Sequence, residues 1–158
     1  MTDLISLRCI HVLSAVTILA ELGTITRLDT PRQLMGFPSL VPSEHSSGPG
    51  RRTGGITRTG NGHVRRILVE AAWNSRFPAR KTRHLQARAR RGGAGAGHCL
   101  ACPAKRPFGR LCACTSRLSA VRKHQCRVTT AVARELVGFI WAIVCEVNAR
   151  PHASRALA

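Results

Sequence analysis

The chain has 158 residues, enough for one modest domain or part of a larger one. Its 25 Lys and Arg against 7 Asp and Glu give a formal charge of +18. Self-repulsion at that level works against compactness and calls for a polyanionic partner, of which nucleic acid is the usual one. Four Phe, two Trp and no Tyr argue against a single-strand binder that stacks bases on aromatic platforms, and favour backbone contact by arginine. The bland alternatives are a small basic organellar or ribosome-like protein, or a GC-rich frame read wrongly.

Residues 4–22 read as one helix. Leu4, Leu7, Ile10/His11, Ser14/Ala15, Ile18 and Leu22 recur every three to four positions, and Gly23 is a helix stop. The apolar run VLSAVTILA does not read as a secretory signal, because Asp3 precedes it and Glu21-Leu22-Gly23 follows. Seven cysteines, an odd number, then point to free thiols in a reducing cytoplasm. Thr30-Pro31 opens a second, short helix with Thr as N-cap, and Pro38 ends it.

Residues 38–60, rich in Pro, Gly and Ser, read as a long loop. Asn61 caps a helix through about Phe77, with Val64, Leu68, Ala71/Ala72 and Ser75 on one face. Residues 79–91 are basic and compatible with a helix. Residues 92–127 open with GGAGAG, hold five of the seven cysteines and carry no acid, so they read as irregular or disordered. An apolar helix returns at Val128. Its core, LVGFIWAIVC at 136–145, lies between Glu135 and Glu146 and suits a buried helix, since no span of about 20 apolar residues is apparent. The tail from Pro151 reads as frayed. The fold class is therefore mainly α: a small helical domain over 1–91 with a long basic Gly/Ser-rich loop, an odd segment at 92–127, and a helix of the same domain over 128–150, followed by the 151–158 tail.

Three stretches carry chemistry. In GGITRTGNGH the glycines have P-loop spacing, but Asn61-Gly62 stands where Lys-Ser/Thr is needed. What survives is a phosphate grip from backbone N–H groups at the helix start, ringed by Arg51, Arg52, Arg58, Arg65 and Arg66, or an ordinary capped helix with solvated arginines. Ser46 and Ser47, beside Gly48, are turn formers or a nucleophile activated by nearby positive charge. Cys99, Cys102, Cys112 and Cys114, with His98, His124 and Cys126 nearby, invite a zinc reading. One residue between Cys112 and Cys114 fits zinc poorly, so no residue is assigned to a metal.

The blocks PRQLM, LVPSEHSSG, RRTGGITRTGNGHVRRILVEAAW and TTAVARELVGFIWAI, in that order, resemble the C-terminal part of transposases of the insertion sequence 116/110/902 family. With LSAVTILAELG they cover most of residues 7–91 and 128–147. The resemblance implies DNA transposition through a covalent serine–phosphate intermediate. The nucleophile falls on Ser47, with Ser46 as fallback. Arg51, Arg52, Arg58, Asn61, Arg65 and Arg66 become the nucleic-acid grip. It also implies DNA and an element-encoded guide RNA as partners, homo-oligomers of the full-length protein, and no membrane. Divalent metal, Mg, is implied only for an N-terminal RuvC-like domain. This chain has nothing resembling that domain and reads as starting inside the family sequence, so it is expected to be inactive alone. The sequence departs from the family at Phe37-Pro38-Ser39, at Gly48-Pro49-Gly50 and throughout 92–127, which suggests a truncated, partly degenerate copy with the middle segment out of frame. The alternative is an inactive remnant that serves only as a basic DNA- or RNA-binding module.

Overall fold

The apolar pattern at the N-terminus holds, but the single helix expected there is two. In the computed structural model, which describes residues 2–5, 7, 9–77, 83, 87 and 107–155, α1 spans Thr2–Ile5 and α2 spans Val12–Leu22. Tight turns join them, with Leu7 N–H donating to Leu4 O and Ile10 N–H to Leu7 O, both at 3.1 Å. His11 is extended. The break lets α1 pack on the last helix while α2 packs on α4, two directions that one straight rod could not serve. Leu4, Leu7, Ile10, Ala15, Ile18 and Leu22 are all buried, as their spacing requires. Gly23 ends α2 at φ 61°, and its N–H reaches Leu19 O.

A 3-10 turn at Ile25–Arg27 leads to α3, Pro31–Gly36. Its start is a complete capping box: the Thr30 side chain accepts from Gln33 N–H, and the Gln33 side chain accepts from the Thr30 N–H. Residues 38–60 are not simply a loop. Pro42–Glu44 forms β1 and Thr53–Ile56 forms β2, an antiparallel pair with a register irregularity between Pro42 and Glu44. Between the pairs Pro42–Ile56 and Glu44–Thr53, β2 has two residues, Gly54 and Gly55, opposite the single Ser43 of β1, a bulge that glycine accommodates. Helix α4 follows at Gly62–Trp73, with Asn61 Oδ1 accepting from Val64 N–H at 3.0 Å, and a 3-10 turn at Asn74–Arg76 extends it. The helical reading of residues 79–91 lies outside the described residues, apart from Arg83 and Ala87, which are helical.

Helix α5, Pro107–Ala120, corrects the expectation of an irregular segment over the second half of 92–127. Leu111 and Thr115, one turn apart, are buried, and the helix packs on α6 and on the 74–76 turn. Leu, Ala and Arg are good helix formers, and Pro107 stands where a helix tolerates proline. Helix α6 spans Gln125–Arg155, longer at both ends than the expected 128–150 and continuing past Pro151. Its stretch Gln125–Asn148 is long and apolar enough to cross a membrane by length and composition, a wider span than the sequence reading allowed. Here Val128, Val132, Leu136 and Ile140, with Ala133, Val137 and Ile143, face inward against α3, α4 and α5. Leu136, Ile140 and Ile143 are all at most 1% exposed, and Phe139 is half-buried, as a buried helix over 136–145 requires. The molecule is mainly helical around α6, and strand β2 of the hairpin is largely exposed.

Candidate active site in the serine hairpin

The hairpin is built from residues with little apolar content, so hydrogen bonds rather than burial hold it. Beyond β1 and β2, His45 N–H donates to Arg52 O at 2.9 Å, and Thr57 N–H donates to Val41 O at 3.2 Å. Ser43 Oγ donates to Gly55 O at 3.1 Å. Residues 46–51 then form the exposed tip. Gly48 sits there at φ 97°, a left-handed backbone that other residues rarely adopt.

The two serines at this tip have different surroundings. Ser46 Oγ donates to Glu44 Oε1 at 3.0 Å and accepts from Arg52 N–H at 3.2 Å. The other oxygen of Glu44 takes Arg51 Nη2 at 3.2 Å. The Ser46 hydroxyl and the Arg51 guanidinium hold the Glu44 carboxyl below its usual range. Ser46 is thus tied into the loop as a turn-forming strut. Ser47 is exposed, and among the described residues its hydroxyl has no hydrogen-bond partner. Glu44 was missed by sequence reasoning. Its signal was its isolation as the last acid before a run of arginines, which marks it as their nearest counter-charge.

The arginines divide as well. Arg51 is paired with Glu44, Arg66 Nε with Glu70 Oε1 at 3.0 Å one turn along α4, and Arg65 Nη1 donates to Pro38 O at 3.0 Å. Arg52 and Arg58 project exposed side chains with no partner among the described residues. Arg58 holds φ 58°, unusual for a residue with a Cβ. Such backbone outliers gather at functional positions.

The helix start at Asn61 is not an open phosphate cradle. Its Nδ2 donates to Glu21 Oε2 at 2.7 Å, and His63 Nδ1 lies 3.7 Å from Glu21 Oε1. A carboxylate from α2 therefore already occupies the anion-favouring end of α4. The glycine spacing has a second explanation. Gly60 N–H donates to the Ser39 hydroxyl, Asn61 N–H donates to Phe37 O at 2.9 Å, and a side chain at 60 would run into the Phe37 carbonyl. Ser39, buried at φ 52°, is a second residue that sequence reasoning missed; it clasps the two ends of the hairpin segment together.

Cys112 and Cys114 stand two positions apart on α5, on different sides of the helix. Cys112 Sγ donates to Phe77 O at 3.2 Å. His98, Cys99 and Cys102 lie outside the described residues. Glu21, Glu44 and Glu70 are each engaged with different partners, and among the described residues no three His, Cys, Asp or Glu side chains group to hold an ion.

The model of the Transposase IS116/IS110/IS902 family matches residues 1–88. The chain belongs to that family. The matched region contains the whole hairpin, Ser46 and Ser47, and all the arginines named above. A Sinorhizobium fredii protein named as a transposase, y4qE, is 42% identical over 143 residues, 90% of this chain and 36% of its own length. As 158 minus 143 leaves 15 residues outside, that match passes through 92–127. The transposase for insertion sequence element IS1111A of Coxiella burnetii is 38% identical over 60 residues, 38% of this chain and 16% of its own. A Pseudomonas aeruginosa protein named as a family 20 transposase is 32% identical over 69 residues, 44% and 20% of the two chains. The chain thus spans about a third or less of these transposases. No solved structure matches it.

Proposed function

We propose that this chain is the serine-bearing, nucleic-acid-binding C-terminal portion of an insertion-sequence transposase, acting in the bacterial cytoplasm on DNA, with an element-encoded RNA as guide and further copies of the protein as partners. Ser47 is its nucleophile. The Ser47 oxygen attacks a phosphorus of the DNA backbone. A Ser47 Oγ–P bond forms, the P–O bond to the departing strand breaks, and that strand's oxygen gains a proton while the serine loses one. Attack by a second strand's hydroxyl on the same phosphorus reverses these changes and frees Ser47. The number of phosphate ester bonds is conserved throughout.

The observation that carries the reading is the contrast at the hairpin tip: Ser46 is bonded on both sides, while the neighbouring Ser47 hydroxyl projects without a partner among the described residues. Arg52, beside the tip and with no side-chain partner among the described residues, supplies positive charge for the phosphate oxygens that gain charge in the transition state, and Arg58, beyond the base of the hairpin, holds the flanking backbone. Among the described residues no three His, Cys, Asp or Glu side chains group to hold an ion, and the proposed step uses the serine and arginines alone.

The test is a strand-transfer assay in a complete family member altered at the matching positions. Ser47→Ala abolishes strand transfer and leaves DNA affinity within about two-fold, because a nucleophile contributes chemistry rather than binding. Ser46→Ala loosens the loop and retains measurable transfer. Full activity of the Ser47→Ala protein would overturn the proposal.

A further inference from the structure

A second feature of the surface is not accounted for by the serine chemistry. At the far end of α4, Trp73 and Phe77 are 39% and 47% exposed. The Arg76 guanidinium carbon lies 4.7 Å from both ring centroids, so one cation bridges the two rings. The other described aromatics behave differently. Phe37, Phe139 and Trp141 are partly buried against the core, and the Trp141 indole donates to Leu28 O at 3.2 Å. Trp73 has no place in that core, and among the described residues its indole N–H has no partner.

The cluster is held firmly. Ser75, between Trp73 and Phe77, is buried, and its Oγ lies 2.7 Å from Thr115 Oγ1 on α5. Thr115 Oγ1 in turn donates to Leu111 O at 2.9 Å. The Cys112 thiol donates to the Phe77 carbonyl, and Phe77 N–H donates to Asn74 O at 3.3 Å. A chain with six aromatics has therefore fixed two of them in water around an arginine. The stack lies on the same stripe as Arg66, seven residues or two turns earlier on the exposed side of α4, about 10 Å along the helix.

We propose that the Trp73–Arg76–Phe77 cluster is a stacking site for an unpaired nucleobase of a single strand. The exposed ring surface accepts the flat face of a base, Arg76 adds charge to the stack, and Arg66 lies within reach of the adjoining backbone. Stacking of this kind tolerates any base, since each has a π face. Few aromatics argue against a long row of such sites; one site needs only these. The proposal rests on the nucleic-acid reading of the chain and is independent of the role of Ser47.

The test uses the full chain and intrinsic fluorescence. Trp141→Phe leaves Trp73 as the one tryptophan. Oligothymidylate, oligouridylate and a dA·dT duplex are titrated at equal salt, with binding read separately by anisotropy of labelled strands. The expected result is quenching of Trp73 by a single strand and none by the duplex. The DNA and RNA arms show which strand the site takes. Trp73→Ala should weaken single-strand binding on the order of ten-fold, leave duplex binding and the salt dependence unchanged, and keep the helical circular dichroism. If Trp141→Phe does not fold, the same signal is the difference between the unaltered chain and Trp73→Phe. Single strands that bind without quenching Trp73, or an equal loss of duplex binding in Trp73→Ala, overturn this site alone. No binding by any probe at low salt overturns the nucleic-acid reading and this site with it.

Discussion

Gly60 has no room for a side chain, because a Cβ would meet the Phe37 carbonyl. Gly60→Ala should therefore separate the clasp between residues 37–39 and 60–61 and lower stability by about 2 kcal/mol, read as a shift in the urea midpoint. Glu44 sets a pH dependence. Ser46 and Arg51 lower its pKa in the folded chain, so its contribution is present above the unfolded carboxylate pKa of about 4.3 and is lost as pH falls through the lower folded value. Acid titration should thus release the His45 and Arg52 amides to hydrogen exchange in the acid range, and Glu44→Gln should remove that transition. Both serines could be singled out from their place beside a glycine among arginines. Which of them is bonded could not, because that depends on Glu44 and the Arg52 amide meeting across a hairpin whose strands have no apolar alternation to announce them.

The short helices were legible because their signals are local: Thr30 and Gln33 cap α3, and Asn61 caps α4, with partners three residues away. The single helix over 4–22 was misread because its apolar spacing says which positions are buried and not that the chain between Ile5 and Val12 turns. Helix α5 was hidden by its neighbours in sequence, whose glycine and charge dominated the reading of 92–127. What fixes it is non-local: Leu111 under α6, and the Ser75–Thr115 hydroxyl pair across 40 residues. Thr115→Val leaves the buried Ser75 hydroxyl unpaired and should cost about 1–3 kcal/mol. Ser75→Ala combined with Thr115→Val should recover most of that loss, since neither buried polar group then lacks a partner. Denaturant unfolding of the three variants measures both. A segment whose side chains enter the core in this way is a working part of the fold.

Over the whole molecule, a charge of +18 is distributed unevenly in availability. Arg51, Arg65 and Arg66 are partly satisfied within the chain, while the Arg52 and Arg58 side chains have no partner among the described residues. DNA affinity should fall steeply with salt. Arg52→Ala and Arg58→Ala should each reduce the slope of log affinity against log salt by about one, and Arg51→Ala by less. Those titrations test the arginine grip and leave the role of Ser47 to a separate measurement. The most direct measurement is peptide mapping by mass spectrometry of the covalent protein–DNA adduct trapped from a complete family member. A phosphate ester is expected on the serine that matches Ser47, absent from Ser47→Ala and present in Ser46→Ala. An adduct on another residue, or one that persists in Ser47→Ala, would exclude Ser47 as the nucleophile.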